Sequence, residues 1–204
     1  MILTIDIGNT NIVVGGIDKD KTYFIERLST VRTKTELEYA IDIKLLLDIY
    51  KIRPDQIEGG IISSVVPQIT NIVRIAAEKI LKKEVIVLAA GVKTGLNIKI
   101  DNPAQLGADL VANAVAGVKY YPVPQIIIDM GTATTFSVID QHGFYVGGMI
   151  TAGMAISAEA LVRSTSQLSK VDFEKPKKLI GTNTVDCVKS GLLYATACSI
   201  DGMA

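Results

Sequence analysis

The first eighteen residues, "MILTIDIGNTNIVVGGID" (Met1–Asp18), decide the fold because they predict two strands joined by a polar turn. Apolar and β-branched residues fill Met1–Ile5 and resume after the turn Asn9–Asn11, a pattern typical of strand–turn–strand. Asp6 interrupts the first apolar run, where burying an unpaired carboxylate costs several kcal/mol. We therefore expect Asp6 to face a bound group.

A second stretch, "IIIDMGTATTFSVID" (Ile126–Asp140), repeats this arrangement. Ile128–Gly131 matches Ile5–Gly8, which aligns Asp129 with the first acid, and a hydroxyl-rich turn follows. The separation between the copies is far too long for a solenoid repeat. It predicts two related half-structures, each presenting an acidic hairpin.

Between and after the hairpins, strand patterns alternate with helix patterns, which predicts an α/β protein with mixed sheets. Thr35 and Glu38 form a capping-box pattern before an apolar stripe at Leu37, Ile41 and Leu45. The other predicted elements are strands at Ile61–Val66, Glu84–Leu88 and Gly143–Ile150, and helices at Gln68–Lys83, from about Pro103 after the cap Asn102, at Ala155–Gln167 and at Thr184–Met203.

Composition limits the classes of protein. The 204 residues carry no net charge, which argues against a broad nucleic-acid-binding surface. No apolar run is long enough for a membrane span and the N-terminus does not resemble a signal peptide, so we expect a cytoplasmic location without membrane or nucleic-acid partners. Cys187 and Cys198 are expected in the core, and His142 in an exposed turn.

The domain boundary is placed between Ala90 and Leu106, giving domains 1–100 and 101–204. The chain ends on a helical pattern without a stop signal. We therefore expect the second domain to be incomplete at its C-terminus.

The two turns predict chemistry with polyphosphates, which require closely approaching backbone N–H groups, hydroxyls and a cation held by carboxylates. Gly8–Asn11 supplies the first two, and Asp6 can hold Mg²⁺ directly or through water. Gly131–Thr134 supplies a second such loop beside Asp129. Two loops facing across a cleft would grip one nucleotide; the alternative is that these acids and amides only shape turns.

A kinase also needs a group that orients and deprotonates the accepting hydroxyl. Asp109 in "LGADLVANAVA" is the candidate, because it lies near a helix start with Asn113 one turn later on the same face. The alternative is an acid that only complements the helix dipole. Thr184 is predicted to cap the last helix.

In this order, the segments "DIGNTN", "ISSVVP", "NPAQLGAD", "DMGTATT", "GGMI" and "IGTNTVDCVKSG" resemble type III pantothenate kinases. These kinases, also called the Bvg accessory factor family, belong to the actin–hexokinase-like superfamily. The resemblance covers essentially the whole chain. It implies duplicated ribonuclease-H-like domains and ATP-dependent phosphorylation of pantothenate to 4′-phosphopantothenate, the first step toward coenzyme A.

The resemblance also implies roles for individual residues. ATP would contact Thr132 and the first hairpin, and Asp109 would accept the proton. Asp129 would bind a monovalent cation, K⁺ or NH₄⁺, leaving Mg²⁺ to Asp6. The first-hairpin positions are Asp6, Ile7, Gly8, Asn9, Thr10, Asn11, Ile12 and Val13, and the substrate positions are Ile100, Gly107, Ala108, Asp109, Leu110 and Thr184. The family is homodimeric, with the acceptor pocket near the subunit interface.

Three positions depart from the family pattern. Ile100 stands where a substrate-contacting tyrosine is usual, Leu110 replaces an arginine, and Ala152–Gly153 replaces Pro–Gly. Losing the arginine removes a charge-assisted hydrogen bond to the substrate carboxylate, of about 1.5–3 kcal/mol. Two other hypotheses therefore stay open: a kinase with a different hydroxyl acceptor, and a non-catalytic nucleotide-binding regulator.

Overall fold

The computed structural model describes residues 1–19, 21–89, 91–165, 168 and 171–204, which form two compact units. The first unit comprises Met1–Leu96 and Ile100–Ala116; the second comprises Asn97–Lys99 and Gly117–Ala204. Each unit holds a mixed sheet with helices, so the predicted α/β class is confirmed. A domain division at residue 100 stays a prediction.

The strands and helices of the described residues include the predicted alternation and add two strands that were not predicted, at Thr22–Ser29 and Asn97–Ile98. In chain order the elements are β1 (Ile2–Ile7), β2 (Asn11–Ile17), β3 (Thr22–Ser29), α1 (Glu36–Ile49), β4 (Gly59–Ser64), α2 (Pro67–Leu81), β5 (Val85–Val87), β6 (Asn97–Ile98), α3 (Ala108–Tyr120), β7 (Gln125–Met130), β8 (Ala133–Ile139), β9 (Phe144–Ala152), α4 (Met154–Ser164) and α5 (Thr184–Met203).

The first sheet has the order β3-β2-β1-β4-β5. Strands β1, β2 and β3 form an antiparallel meander, whereas β4 and β5 add parallel to β1. Alternate residues of β1, namely Leu3, Ile5 and Ile7, are buried and share one core with side chains of α1 and α2. Strand β1 is therefore central in its sheet, and its inward face is covered.

Helix α1 begins with the predicted capping box. The Glu38 N–H donates to Thr35 Oγ1 at 3.4 Å, and the Thr35 N–H donates to Glu38 Oε2 at 2.7 Å. The predicted stripe is on the wrong face, because Leu37, Ile41 and Leu45 are all more than half exposed. Apolar residues surround this helix, so spacing alone did not identify the buried side, which is Tyr39, Ala40, Ile43, Leu46 and Leu47.

The second sheet has the order β6-β9-β8-β7, with an antiparallel meander of β7, β8 and β9, and β6 parallel to β9. Both units thus contain the predicted acidic hairpin followed by a third antiparallel strand. In the described residues β7 pairs with β8 alone, so it is an edge strand where β1 is central.

Other boundaries shift by a few residues, except α5, which spans the predicted Thr184–Met203. Asn102 caps a 3₁₀ turn at Pro103–Gln105, and α3 begins later, at Ala108. The predicted end of α4 at Gln167 lies outside the described residues.

The two cysteines and the histidine lie at the surface. Cys187 and Cys198 are both exposed, so their predicted core positions are wrong: α5 turns that face toward solvent. His142 lies in an exposed turn between β8 and β9, as predicted. Among the described helices, none is both long and apolar enough to cross a membrane.

Candidate functional site

The first hairpin closes with a compact turn between β1 and β2. The Gly8 N–H donates to the Asn11 carbonyl at 2.9 Å. A Cβ on Gly8 would approach this carbonyl oxygen to 3.0 Å, which explains the glycine. The side chains of Asn9, Thr10 and Asn11 are exposed, so the turn presents amides and a hydroxyl to solvent.

Strand β3 and the residues after it hold this turn in place. Thr30 donates its hydroxyl to the Gly8 carbonyl at 2.7 Å and its N–H to the Thr10 carbonyl at 3.0 Å. The Arg32 guanidinium donates to Asn9 Oδ1 at 3.2 Å. Sequence reasoning missed both residues, because neither belongs to the hairpin motif. The arginine places a positive charge beside the predicted phosphate loop.

The predicted nucleotide-contacting residues of the first hairpin include both buried and exposed side chains. Ile7 and Ile12 lie in the core, which leaves only their backbone for contact with a ligand. The Asp6 side chain is exposed, so the expectation that it interrupts a buried face is wrong. Successive side chains of a strand point to opposite faces, and Asp6 lies opposite the buried Ile5 and Ile7. Its carboxylate is therefore exposed at the surface, near the turn.

The second hairpin closes through a bond from the Gly131 N–H to the Ala133 carbonyl at 3.0 Å. This turn is held by the backbone at the end of β9: the Gly153 N–H donates to the Thr132 carbonyl at 3.1 Å. A Cβ on Gly153 would lie 2.5 Å from the Thr132 carbonyl oxygen and closer still to that of Gly131. Only glycine permits this approach. The side chain of Thr132 is exposed.

Asp129 is partly exposed near the end of β7. Its register partner across the hairpin is Thr135. Register partners project from the same face of a sheet. The Thr135 Oγ1 atom is buried and has no hydrogen-bond partner.

The predicted base, Asp109, lies in the first turn of α3. Its Oδ1 accepts the Leu110 N–H at 2.8 Å. A Cβ on Gly107 would collide with this same oxygen, so the glycine makes room for the carboxylate. Asp109, Ala108, Leu110 and Ile100 are all partly exposed. The acid is thus oriented by its own helix and accessible from solvent.

Thr184 is exposed at the start of α5, but it does not cap that helix as predicted. The cap is Asn183, whose Oδ1 accepts the Asp186 N–H at 2.9 Å. Asparagine and threonine are both common capping residues. The sequence "TNT" is therefore compatible with more than one cap, and the backbone conformation determines which residue takes that position. The side chain of Thr184 is therefore not engaged as a helix cap.

The structure groups the candidate residues by unit. The first contains the first hairpin, Ile100 and Gly107–Leu110, so the predicted base and the predicted phosphate loop share one compact unit. The second contains Asp129, Thr132 and Thr184.

A cavity of about 190 Å³ in the second unit lies between its sheet and α5, lined by Thr134, Phe136, Thr196 and Ser199 among others. It is smaller than typical ligand sites of roughly 300–1,000 Å³. The sequence predicted no cavity here, although Thr134 belongs to the predicted second loop.

The chain is similar to known proteins along its whole length. A sequence profile described as type III pantothenate kinase matches residues 2–204. The chain belongs to the type III pantothenate kinase family.

Relatives within the type III pantothenate kinase family match along the whole chain. The protein named type III pantothenate kinase from Halalkalibacterium halodurans is 42% identical over 203 residues, covering 100% of this chain and 80% of the relative. The one from Bacillus cytotoxicus is 43% identical over 203 residues, covering 100% of this chain and 78% of the relative.

A solved structure also shares the fold. It is from Campylobacter jejuni and is described as a proposed transcriptional activator of the Baf family. It aligns with a TM-score of 0.57 at 20% identity, covering 99% of this chain and 79% of that one. This likeness bears on the fold alone.

Proposed function

We propose that this chain transfers the γ-phosphoryl group of ATP to the hydroxyl of pantothenate, forming 4′-phosphopantothenate and ADP in the first step toward coenzyme A. The observation that carries the proposal is the family match over residues 2–204, together with a phosphate-loop hairpin and an oriented carboxylate in one compact unit. A homodimer with its acceptor pocket near the subunit interface, and a cytoplasmic location, stay predictions.

The first hairpin binds the phosphates of ATP in this proposal. Its turn presents the exposed side chains of Asn9, Thr10 and Asn11, which suits repeated hydrogen bonding to phosphate oxygens. Arg32 adds a charged donor next to the turn, and charge-assisted bonds to phosphate are stronger than neutral ones. A contact of Thr132 with the nucleotide stays a prediction.

Asp109 acts as the proton acceptor. As the pantothenate hydroxyl oxygen bonds to the γ-phosphorus, the bond from that phosphorus to the β–γ bridging oxygen breaks and ADP leaves. The hydroxyl proton passes to the carboxylate of Asp109. The bond from the Leu110 N–H fixes the carboxylate, which supports general-base catalysis because the base must be positioned before it accepts a proton.

The residues present fit two cations. The exposed carboxylate of Asp6 fits Mg²⁺, which is commonly held by one or two carboxylates and by substrate phosphates. Asp129, with the buried and unpartnered Thr135 hydroxyl across the strand pair, fits a monovalent cation, K⁺ or NH₄⁺. When bound, Mg²⁺ would neutralise charge that develops on the transferring phosphoryl group.

The test is an assay of 4′-phosphopantothenate formation from ATP and pantothenate. We expect turnover by the wild type and a 10²–10⁴-fold lower kcat for Asp109→Asn, a typical loss for a general base, with ATP affinity retained. The matched control is Asp101→Asn, an exposed acid of the same unit outside the predicted site. Absence of turnover at saturating pantothenate rejects the function. Unchanged turnover in Asp109→Asn rejects the assignment of the base.

A second candidate is a kinase for a less polar acceptor. Ile100 and Leu110 are both partly exposed at positions where the family pattern has tyrosine and arginine. A screen of hydroxyl compounds at fixed ATP distinguishes the candidates: higher kcat/KM for an uncharged alcohol favours the second, whereas preference for pantothenate rejects it. A nucleotide-binding regulator without catalysis would phosphorylate neither pantothenate nor the uncharged alcohol.

A further inference from the structure

Three buried side-chain polar atoms in the described residues have no hydrogen-bond partner: Ser63 Oγ, Gln125 Nε2 and Thr135 Oγ1. The two hydroxyls are register partners of the two predicted acids, because Ser63 lies beside Asp6 and Thr135 beside Asp129. Buried polar groups in native proteins are nearly always satisfied, and an exception calls for an explanation such as a bound ion.

The two hairpins differ at this position. Across the first hairpin the partner of Asp6 is Val13, whereas across the second the partner of Asp129 is Thr135. Register partners on neighbouring strands have Cβ atoms about 4.5–5.5 Å apart. The second hairpin therefore places a hydroxyl next to its acid on the hairpin side, where the first hairpin has only a hydrocarbon group.

The available donors favour a monovalent ion. The described residues contain no group of three or more His, Cys, Asp or Glu side chains able to hold a metal. Hence one carboxylate must be supplemented by neutral oxygens, as in potassium sites built from uncharged oxygen atoms. The hydroxyl of Thr135 is such an oxygen, whereas the amide nitrogen of Gln125 is a donor and cannot ligate a cation.

We propose that the Thr135 hydroxyl is a further oxygen ligand of the monovalent cation, with Asp129 as its charged partner. This inference rests on the proposed function, which assigns the cation to Asp129. It explains why the second hairpin has threonine where the first has valine.

The experiment measures thermal unfolding of the full chain, without nucleotide, across a KCl titration in which choline chloride keeps ionic strength constant. We expect K⁺ to raise the Tm of the wild type saturably. Thr135→Val keeps the side-chain shape but removes the oxygen; we expect at least a tenfold higher K⁺ concentration for half of the effect, equivalent to about 1.4 kcal/mol of binding free energy. Thr135→Ser should keep the K⁺ response.

Ser63→Ala is the matched control, since it removes a buried, unpartnered hydroxyl beside the other acid. It should leave the K⁺ response unchanged. In choline chloride alone, Thr135→Val should be at least as stable as the wild type, because the hydroxyl it removes has no partner in the protein.

Three results would overturn the proposal: equal K⁺ responses in the wild type and Thr135→Val, no response in the wild type, or a lower Tm of Thr135→Val in choline chloride alone. The last would identify a structural hydroxyl. Should Thr135→Val not fold, Thr135→Ala takes its place and the same comparisons decide. Formation of 4′-phosphopantothenate is measured separately. If the chain forms this product but the K⁺ response is the same in the wild type and in Thr135→Val, this inference is refuted and the proposed function is not.

Discussion

The two sheets carry the same motif in different surroundings. In the first, β1 pairs on both sides, and Leu3 is 0% exposed. In the second, β7 is an edge strand of the described residues, and Ile126, the position matching Leu3, is 37% exposed. Met130, which matches the buried Ile7, is also exposed. Burial is thus set by the neighbouring elements and not by the repeated motif.

The largest expected effect is a loss of stability that differs between matching positions of β1 and β7. Leu3→Ala removes a fully buried side chain and should cost about 2–5 kcal/mol of unfolding free energy. Ile126→Ala removes a matching but partly exposed side chain, so its cost should be clearly smaller. Urea unfolding of both variants measures the difference. Equal losses would show that both strands are packed alike.

The second prediction concerns how each turn is supported. Gly153→Ala places a methyl group against the carbonyl oxygens of Gly131 and Thr132, and should cost about 1–3 kcal/mol through overpacking. Gly131→Ala is the control, because its new Cβ would lie at 3.6 Å from the Ala133 carbonyl oxygen, an ordinary contact. If both variants unfold at the same temperature, the close approach of Gly153 does not support the second turn.

The first turn is instead supported by a side chain. Thr30→Val removes the hydroxyl that donates to the Gly8 carbonyl, and should cost about 0.5–1.5 kcal/mol and weaken ATP binding. Thr4→Val removes a hydroxyl bond to the Gly15 carbonyl elsewhere in the same sheet. It should lower stability similarly without changing ATP affinity. Calorimetric titration with ATP compares them, and equal affinities for the two variants would contradict this role for Thr30.

The smallest effect concerns the turn between β8 and β9 in the second meander. Asp140 accepts the N–H groups of Phe144 and His142 between β8 and β9, and these bonds, chiefly that of Phe144, hold the pKa of Asp140 below its ordinary value of 3.8. A depressed carboxyl pKa contributes stability above its unfolded value, and this is lost as pH falls through the folded pKa. An NMR titration of Asp140 should show the lower value; titration at or above 3.8 would refute the bonds.

Most of the fold followed from local sequence. The capping box of α1 and the span of α5 were predictable because they depend on neighbouring residues. The buried face of α1 was not, since apolar residues surround the helix and the packing of α2 selects the buried side. Asp6 was misjudged for a similar reason: the alternation of a strand places it away from the core although both of its neighbours are apolar.

The candidate site was predictable only where a motif carried it. The hairpin turns, Asp109 and Asp129 were found from sequence, and their catalytic and binding roles stay predictions. Thr30, Arg32 and Thr135 were missed as site residues, because their significance depends on strand register and on contacts across the sheet. Ala152 was noted as the departure from the Pro–Gly of the family pattern, and only the backbone contact explains the glycine that follows it, Gly153.

We propose that the two matched hairpins bind different ligands: the first binds Mg²⁺–ATP, and the second binds a monovalent cation. Calorimetric titration of Mg²⁺–ATP into Asp6→Asn and Asp129→Asn, both at saturating K⁺, tests it most directly. We predict at least a tenfold loss of Mg²⁺–ATP affinity in Asp6→Asn, about 1.4 kcal/mol, and a much smaller loss in Asp129→Asn. Equal losses, or a larger loss in Asp129→Asn, would contradict it.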